Sequence, residues 1–225
     1  AIEARSIAAS AIRRRVRCLP FILCTALCET EAMTTVLIAA LLYLIATGLL
    51  VRSVMAEQPR TGKPWLWAAL AAIAVHAGYH IYGALLSPGG PDMHFFAALS
   101  LIGLGMAALT TLVGARGKMA ALGVVAFPIA AIFLCAHHAY GPAPAKVLGW
   151  RLSLHAWLAL LAYATLSIAA LLAIMLWLQE RALRQRDFRP WLRALPPLGD
   201  LESLLFRTIM VGFSLLTLTL LSGVL

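Results

Sequence analysis

The stretch SLHAWLALLAYATLSIAALLAIMLWL (residues 153–178) is one long apolar run that contains no Asp, Glu, Lys or Arg. About 20 such residues let a helix cross the hydrocarbon core of a bilayer. The composition of the whole chain agrees, because 62% of its 225 residues are hydrophobic and only 12% are charged. The sequence predicts six membrane-spanning stretches, at residues 34–54, 64–86, 95–113, 119–136, 153–178 and 206–225.

These spans are predicted to be helices. Inside lipid every backbone N–H and C=O must be hydrogen-bonded within the protein, so only helices and closed barrels span a membrane. The alternation of apolar and polar residues that marks barrel strands is absent. The predicted fold is therefore an all-α, polytopic helical membrane bundle. Its net charge of +9 does not indicate nucleic-acid binding, since the basic residues lie in short gaps between the apolar stretches.

The basic residues predict an orientation. Lys and Arg concentrate on the cytoplasmic side of membrane proteins. The gap at residues 87–93 has no basic residue, whereas the gap after the fifth span has five Arg. We therefore place the gaps after the first, third and fifth spans in the cytoplasm and the start of the first helix outside. The basic residues of these gaps are Arg52, Arg60, Lys63, Arg116, Lys118, Arg181, Arg184, Arg186, Arg189 and Arg193.

The two ends of the sequence do not fit this arrangement. RRRVR (13–17) would lie on the outer side, and CLPFILCTALC (18–28) is too short to span a membrane. We interpret residues 1–32 as a non-native or signal-like extension and expect the native chain to begin at Met33, outside. The sequence stops directly after a span, so we expect it to be truncated at the C-terminus.

Six histidines are the candidate functional residues, and all lie in the half of the spans expected to face outward. His76 and His80 lie one helical turn apart. They are interpreted as haem ligands, as a proton-relay pair or as a polar contact between helices. For the three histidines at predicted helix ends we favour simple interfacial solvation. These are His94, His137 and His138.

His155 has suitable neighbours for haem. Spacing places Tyr163 on the same side of the helix, and Arg151 and Trp157 flank the histidine. Haem is flat and apolar with two carboxylates at one edge, so imidazole suits its iron, aromatic rings its face and cations its propionates. An interfacial belt of aromatic and basic residues has the same composition. These residues alone leave both interpretations open.

Two stretches carry a family resemblance: LHAWLALLAYATLSIAALLAIML (154–176) and LPPLGDLESLLFRTIMVGFSLLTLTLLSG (195–223). They resemble the cytochrome c assembly family of membrane proteins, the CcsA-like proteins, and are most similar to its YpjD-like branch. The matching residues are His155, Tyr163, Ala164, Leu201, Phe206, Arg207, Gly212, Phe213, Leu216, Thr217, Ser222 and Gly223.

The resemblance implies that residues 33–225 form a cytochrome c assembly-type domain in the bacterial inner membrane. Such proteins carry haem to the outer face for attachment to apocytochrome c, using one histidine pair within the membrane and one outside. His155 matches an outer ligand of iron, and His76 is a candidate for a membrane ligand. We expect non-covalent haem and partners among membrane lipids, apocytochrome c and other assembly proteins, rather than an enzyme. The remaining cofactor-binding candidates are Tyr163, Arg151, Trp157 and His80.

Three other functions stay open at this stage. A permease or transporter subunit would use the histidines to relay protons, although no span has the mid-membrane acid or broken helix typical of transporters. A b-type cytochrome would need histidines at two depths, whereas all six lie in one half. A scaffold would need none of them.

Overall fold

The computed structural model describes residues 30–53, 63–87, 91–115, 121–141, 148–185 and 197–224. These residues are helical apart from short connecting pieces and contain no strand. All six helices are long and apolar enough to cross a membrane, which confirms the predicted polytopic helical fold. They are α1 (Thr30–Ser53), α2 (Pro64–Leu86), α3 (Phe95–Ala115), α4 (Gly123–Tyr140), α5 (Trp150–Arg184) and α6 (Leu198–Val224).

Hydropathy located the helices but not all of their ends. α4 was predicted at 119–136 and lies at Gly123–Tyr140, so His137 and His138 are inside the helix. α6 begins at Leu198 instead of 206, because its first turn contains Asp200, which a hydropathy criterion excludes but a helix accepts near its N-terminus. α5 continues to Arg184 for the same reason, since polar residues prolong a helix beyond the lipid.

The chain divides into two compact units, Ala1–Thr35 and Val36–Leu225. Only residues 30–35 of the first unit are described, and they form the beginning of α1. The predicted extension at 1–32 therefore lies outside the described residues except for 30–32. Every interhelical contact given below is within the second unit.

Two large clusters of buried side chains hold the described part of the second unit together, beside a smaller one around Leu134. The first joins α1, α2 and α4 around Tyr43, Trp65 and Phe127, and includes Ala107 of α3. The second joins α3, α5 and α6, and includes Met106 of α3. Adjacent residues of a helix point about 100° apart. α3 therefore presents neighbouring residues to both clusters and connects them.

Glycines let the helices approach closely. A Cβ added at Gly105 of α3 would lie 2.8 Å from Cβ of Ala164 in α5, and one at Gly212 of α6 would lie 2.7 Å from Cδ2 of Leu166. Lipid is as apolar as a buried leucine, so packing through small residues contributes much of the association of membrane helices. The close contact of α3 with α5 thus depends on the absence of a Cβ at Gly105, and Gly212 leaves room for the Leu166 side chain between α5 and α6.

We expect Gly105→Ala to destabilise the protein by about 1–3 kcal/mol, the usual cost of overpacking. Both atoms of the clash are Cβ atoms, so the backbones of α3 and α5 must separate. Gly83→Ala is the matched control, because a Cβ there has no neighbour within 4 Å, and alanine favours a helix. Thermal unfolding in detergent compares the two; an unchanged midpoint for Gly105→Ala would contradict this packing.

Candidate functional site

All six histidines are among the described residues, and they lie towards one end of the helices. At this end α2, α4 and α6 finish and α3 and α5 begin; we call it the histidine end. Five of them form a contiguous group on α2, on α4 and directly before α3, here named the histidine cluster. It consists of His76, His80, His94, His137 and His138. The sixth, His155, lies apart from them on α5.

The deepest part of the cluster is a chain of hydrogen bonds between three helices. Nδ1 of His76 lies 3.1 Å from the hydroxyl of Tyr43 on α1, and Nε2 lies 3.0 Å from Oγ of Ser100 on α3. The same Oγ lies 2.9 Å from Nε2 of His80. Tyr43, His76 and Ser100 are wholly buried. Every polar atom of this chain must therefore find its partner inside the protein.

Burial fixes the direction of these bonds. The Tyr43 hydroxyl has no other acceptor among the described residues, so it donates to Nδ1 of His76. The proton of His76 is then on Nε2, which donates to Ser100. Ser100 has one proton left to give and donates it to Nε2 of His80. His76 is thus held with both of its ring nitrogens occupied.

The imidazole rings also form a stack that runs from the buried interior to the loop before α3. His76 stacks on His80 at 5.4 Å between ring centroids, and His80 stacks on His137 at 5.1 Å. His137 is followed by His94 at 5.4 Å, and Nδ1 of His94 donates to the carboxylate of Asp92 at 2.8 Å. The stack connects a wholly buried histidine with the hydrogen-bonded pair of His94 and Asp92 near the helix ends.

Two features of the cluster were missed or misjudged from sequence. His137 was expected to be solvated at an interface, but it is only 5% exposed, because α4 ends four residues later than predicted, at Tyr140 instead of 136. Its Nδ1 has no hydrogen-bond partner among the described residues. Tyr43 and Ser100 were not identified at all. Their contacts with His76 join residues 33 and 24 positions apart, which no local pattern encodes.

His155 is half-buried at the start of α5 and is turned towards the end of α6. Its Nδ1 lies 3.0 Å from the backbone carbonyl oxygen of Thr219 and 3.2 Å from Oγ of Ser222. A carbonyl oxygen only accepts hydrogen bonds, so Nδ1 carries the proton. In the neutral ring Nε2 then bears the lone pair, and it has no hydrogen-bond partner among the described residues. A histidine that binds a metal through one nitrogen commonly donates its other N–H in this way.

The other candidates of α5 are more exposed than His155. Arg151 lies one turn earlier, with its guanidinium 5.5 Å from the centroid of the Trp150 ring. Trp157 is 44% and Tyr163 53% exposed. Eight residues are slightly more than two turns, which rotates Tyr163 by roughly 80° from His155 around the helix axis. Tyr163 is therefore on the same side of α5 as His155, about two turns further along the helix.

The two histidines predicted to bind iron thus belong to different surroundings. His76 is hydrogen-bonded at both nitrogens within the cluster, whereas His155 contacts α6 and keeps Nε2 available. Within the described part of the chain, no three His, Cys, Asp or Glu side chains are arranged to hold a metal ion together.

Comparison with known proteins identifies a family for the chain. The family model described as Cytochrome C assembly protein matches residues 65–225, which is more than half of the chain and includes all six histidines. No curated protein and no solved structure matches.

Proposed function

The chain belongs to the cytochrome c assembly protein family, and from this premise we propose that it handles haem. Membership of that family supports a role in cytochrome c biogenesis. Our proposal adds that the protein binds haem non-covalently and presents it at the outer face of a bacterial inner membrane for attachment to apocytochrome c.

The observation that supports the proposal is the hydrogen bonding of the two ring nitrogens of His155. Its Nδ1–H is bound to the Thr219 carbonyl, and its Nε2 is left with an unshared lone pair. A histidine with this hydrogen-bonding pattern is ready to act as an axial ligand without first exchanging a proton. Haem, when bound, supplies an iron that accepts such an imidazole and carries two propionates that need cations. The residue fits the group.

Three neighbours on α5 extend this site. Arg151 lies one turn from His155, and we propose that its guanidinium pairs with a propionate, for which a planar, bidentate donor is well suited. The exposed rings of Trp157 and Tyr163, two and eight residues after His155, offer apolar surface along α5. Their exposure suits a cofactor that is presented to a partner rather than enclosed.

His76 and His80 are proposed as a second, deeper position that requires a rearrangement. Nε2 of His76 donates to Ser100, so ligation through this atom requires the loss of that bond. It also requires the proton to move to Nδ1, which reverses the bond with Tyr43. We therefore assign the first ligation to His155 and regard the deeper position as closed while Ser100 holds both imidazoles.

The proposed orientation places the histidine end outside. Arg52, Lys63, Arg181 and Arg184 lie at the opposite ends of their helices, and Arg181 is 5.4 Å from the centroid of the Trp177 ring. Clustered positive charge beside an aromatic side chain is typical of a cytoplasmic membrane boundary. We also retain the YpjD-like branch as the proposed relationship within the family, with apocytochrome c and other assembly proteins as partners.

The proposal is tested by purifying the protein from the complete gene in haem-replete cells and recording its absorption spectrum. We expect haem that is extracted by acidic organic solvent, since the chain has no motif for covalent attachment. Protein from haem-deficient cells should regain the same spectrum when hemin is added. Protein that is haem-free from replete cells and does not bind added hemin would overturn the proposal.

A further inference from the structure

The last turn of α6 surrounds one edge of the His155 ring, through Thr219, Ser222 and Gly223. We infer that Ser222 and Gly223 are positioning residues, which set the tautomer and the placement of His155 before any ligand arrives. The inference rests on the proposed function, because it concerns the same histidine. It goes further because it names two residues of α6 that keep Nε2 of His155 unprotonated and in position to bind iron.

Ser222 acts on the tautomer. Its hydroxyl donates to the Thr219 carbonyl at 2.7 Å, and its oxygen lies 3.2 Å from Nδ1 of His155. A hydroxyl at this place can either donate to a bare Nδ1 or accept from a protonated one. Because its only proton is given to Thr219, Ser222 is left as an acceptor. Among the described residues, Ser222 is the one nearby donor that would favour the opposite tautomer, and its bond to Thr219 removes it from that role.

Gly223 acts on the position of the ring. A Cβ at this residue would lie 3.1 Å from Cε1 and 3.3 Å from Nδ1 of His155. Its backbone is not in the left-handed region, so the glycine is required for space and not for conformation. An alanine would displace the ring edge by a few tenths of an ångström and lengthen the bond to Thr219. The helix itself would tolerate alanine, which is the better helix former.

The test compares Gly223→Ala with Gly199→Ala in the full chain. Gly199 is also on α6, but a Cβ there has no neighbour within 4 Å. We expect hemin affinity to fall about 10- to 100-fold in Gly223→Ala, the range found when the partner behind a metal-binding histidine is lost. Gly199→Ala should bind hemin as the unmodified protein does. Both variants should unfold at the same temperature in detergent.

The same substitution made in a His155→Gly variant separates an effect on the position of His155 from a general loss of structure. In His155→Gly, added imidazole replaces the missing ring but is not tied to α5, so it can shift away from a methyl group. Gly223→Ala should therefore cost nothing further in the His155→Gly protein supplied with imidazole. An equal loss in both backgrounds would show that Gly223 does not act through His155 and would overturn the inference.

A readout without haem keeps the inference distinct from the proposed function. Nitrogen-15 NMR of labelled histidine reports which ring nitrogen carries the proton. We expect His155 of the haem-free protein to carry it on Nδ1. A proton on Nε2 would overturn the positioning role even if hemin binds, whereas failure to bind hemin with the proton on Nδ1 would overturn only the haem proposal.

Discussion

Hemin affinity is expected to fall more than about 100-fold in His155→Ala, because removing a ligand should cost more than the 10- to 100-fold lost with the group behind it. The variant removes the ring whose Nε2 is available and whose Nδ1–H is bound to Thr219. Little else should change, since His155 is only half-buried and lies at the beginning of α5. Equilibrium titration of haem-free protein with hemin, followed in the Soret region, measures the effect.

His138→Ala is the matched control for this experiment. It also removes an imidazole from the histidine end, and among the described residues the ring makes one long hydrogen bond, with Nδ1 at 3.4 Å from the Tyr79 hydroxyl. We expect the His138→Ala protein to keep its affinity for hemin. If both variants bind hemin equally well, His155 is not an axial ligand and the proposed site is wrong. Equal losses in both would indicate a nonspecific effect of lost imidazole and count against His155 as well.

The sequence was sufficient for the helices because membrane spans depend on length and apolarity, which are local properties. It also singled out His155, since a polar ring at the entrance of an apolar run is costly without a purpose. It did not reveal the group that accepts from His155, because Thr219 lies 64 positions away on another helix. That contact depends on how far each helix is rotated about its axis.

Rotation is difficult to infer in a membrane protein for a physical reason. In a soluble protein the inward face of a helix is marked by apolar residues, but lipid makes both faces apolar. Leu172 is wholly buried on α5 while Leu161 of the same helix is half exposed. The sequence therefore offered no sign that Ser100 faces His76 and His80, or that Tyr43 faces His76. Polar contacts between helices became visible only in three dimensions.

The second large effect is expected for Ser100→Ala, which should lower the free energy of unfolding by about 2–4 kcal/mol. The change removes the acceptor of the His76 Nε2–H and the donor to His80 Nε2 at once. The loss of a partner costs about 1–3 kcal/mol for the wholly buried Nε2–H of His76 and less for Nε2 of the half-buried His80. Water cannot easily replace the hydroxyl, since Ser100 and His76 are wholly buried. Unfolding by increasing concentrations of SDS in mixed micelles measures the difference.

Ser214→Ala provides the comparison, because Ser214 is exposed on α6 and its hydroxyl donates to the Met210 carbonyl of its own helix. We expect it to stay within about 0.5 kcal/mol of the unmodified protein, as surface substitutions usually do.

Tyr43→Phe should also destabilise the protein, since it leaves Nδ1 of His76 without a donor. The double variant with Ser100→Ala should cost less than the sum of both, because residues of one hydrogen-bond network do not contribute independently. Two results would contradict this chain of hydrogen bonds between Tyr43, His76, Ser100 and His80: strictly additive losses of unfolding free energy in the double variant, or a loss for Ser100→Ala no larger than for Ser214→Ala. Either result would remove the reason for treating the deeper histidines as closed to iron.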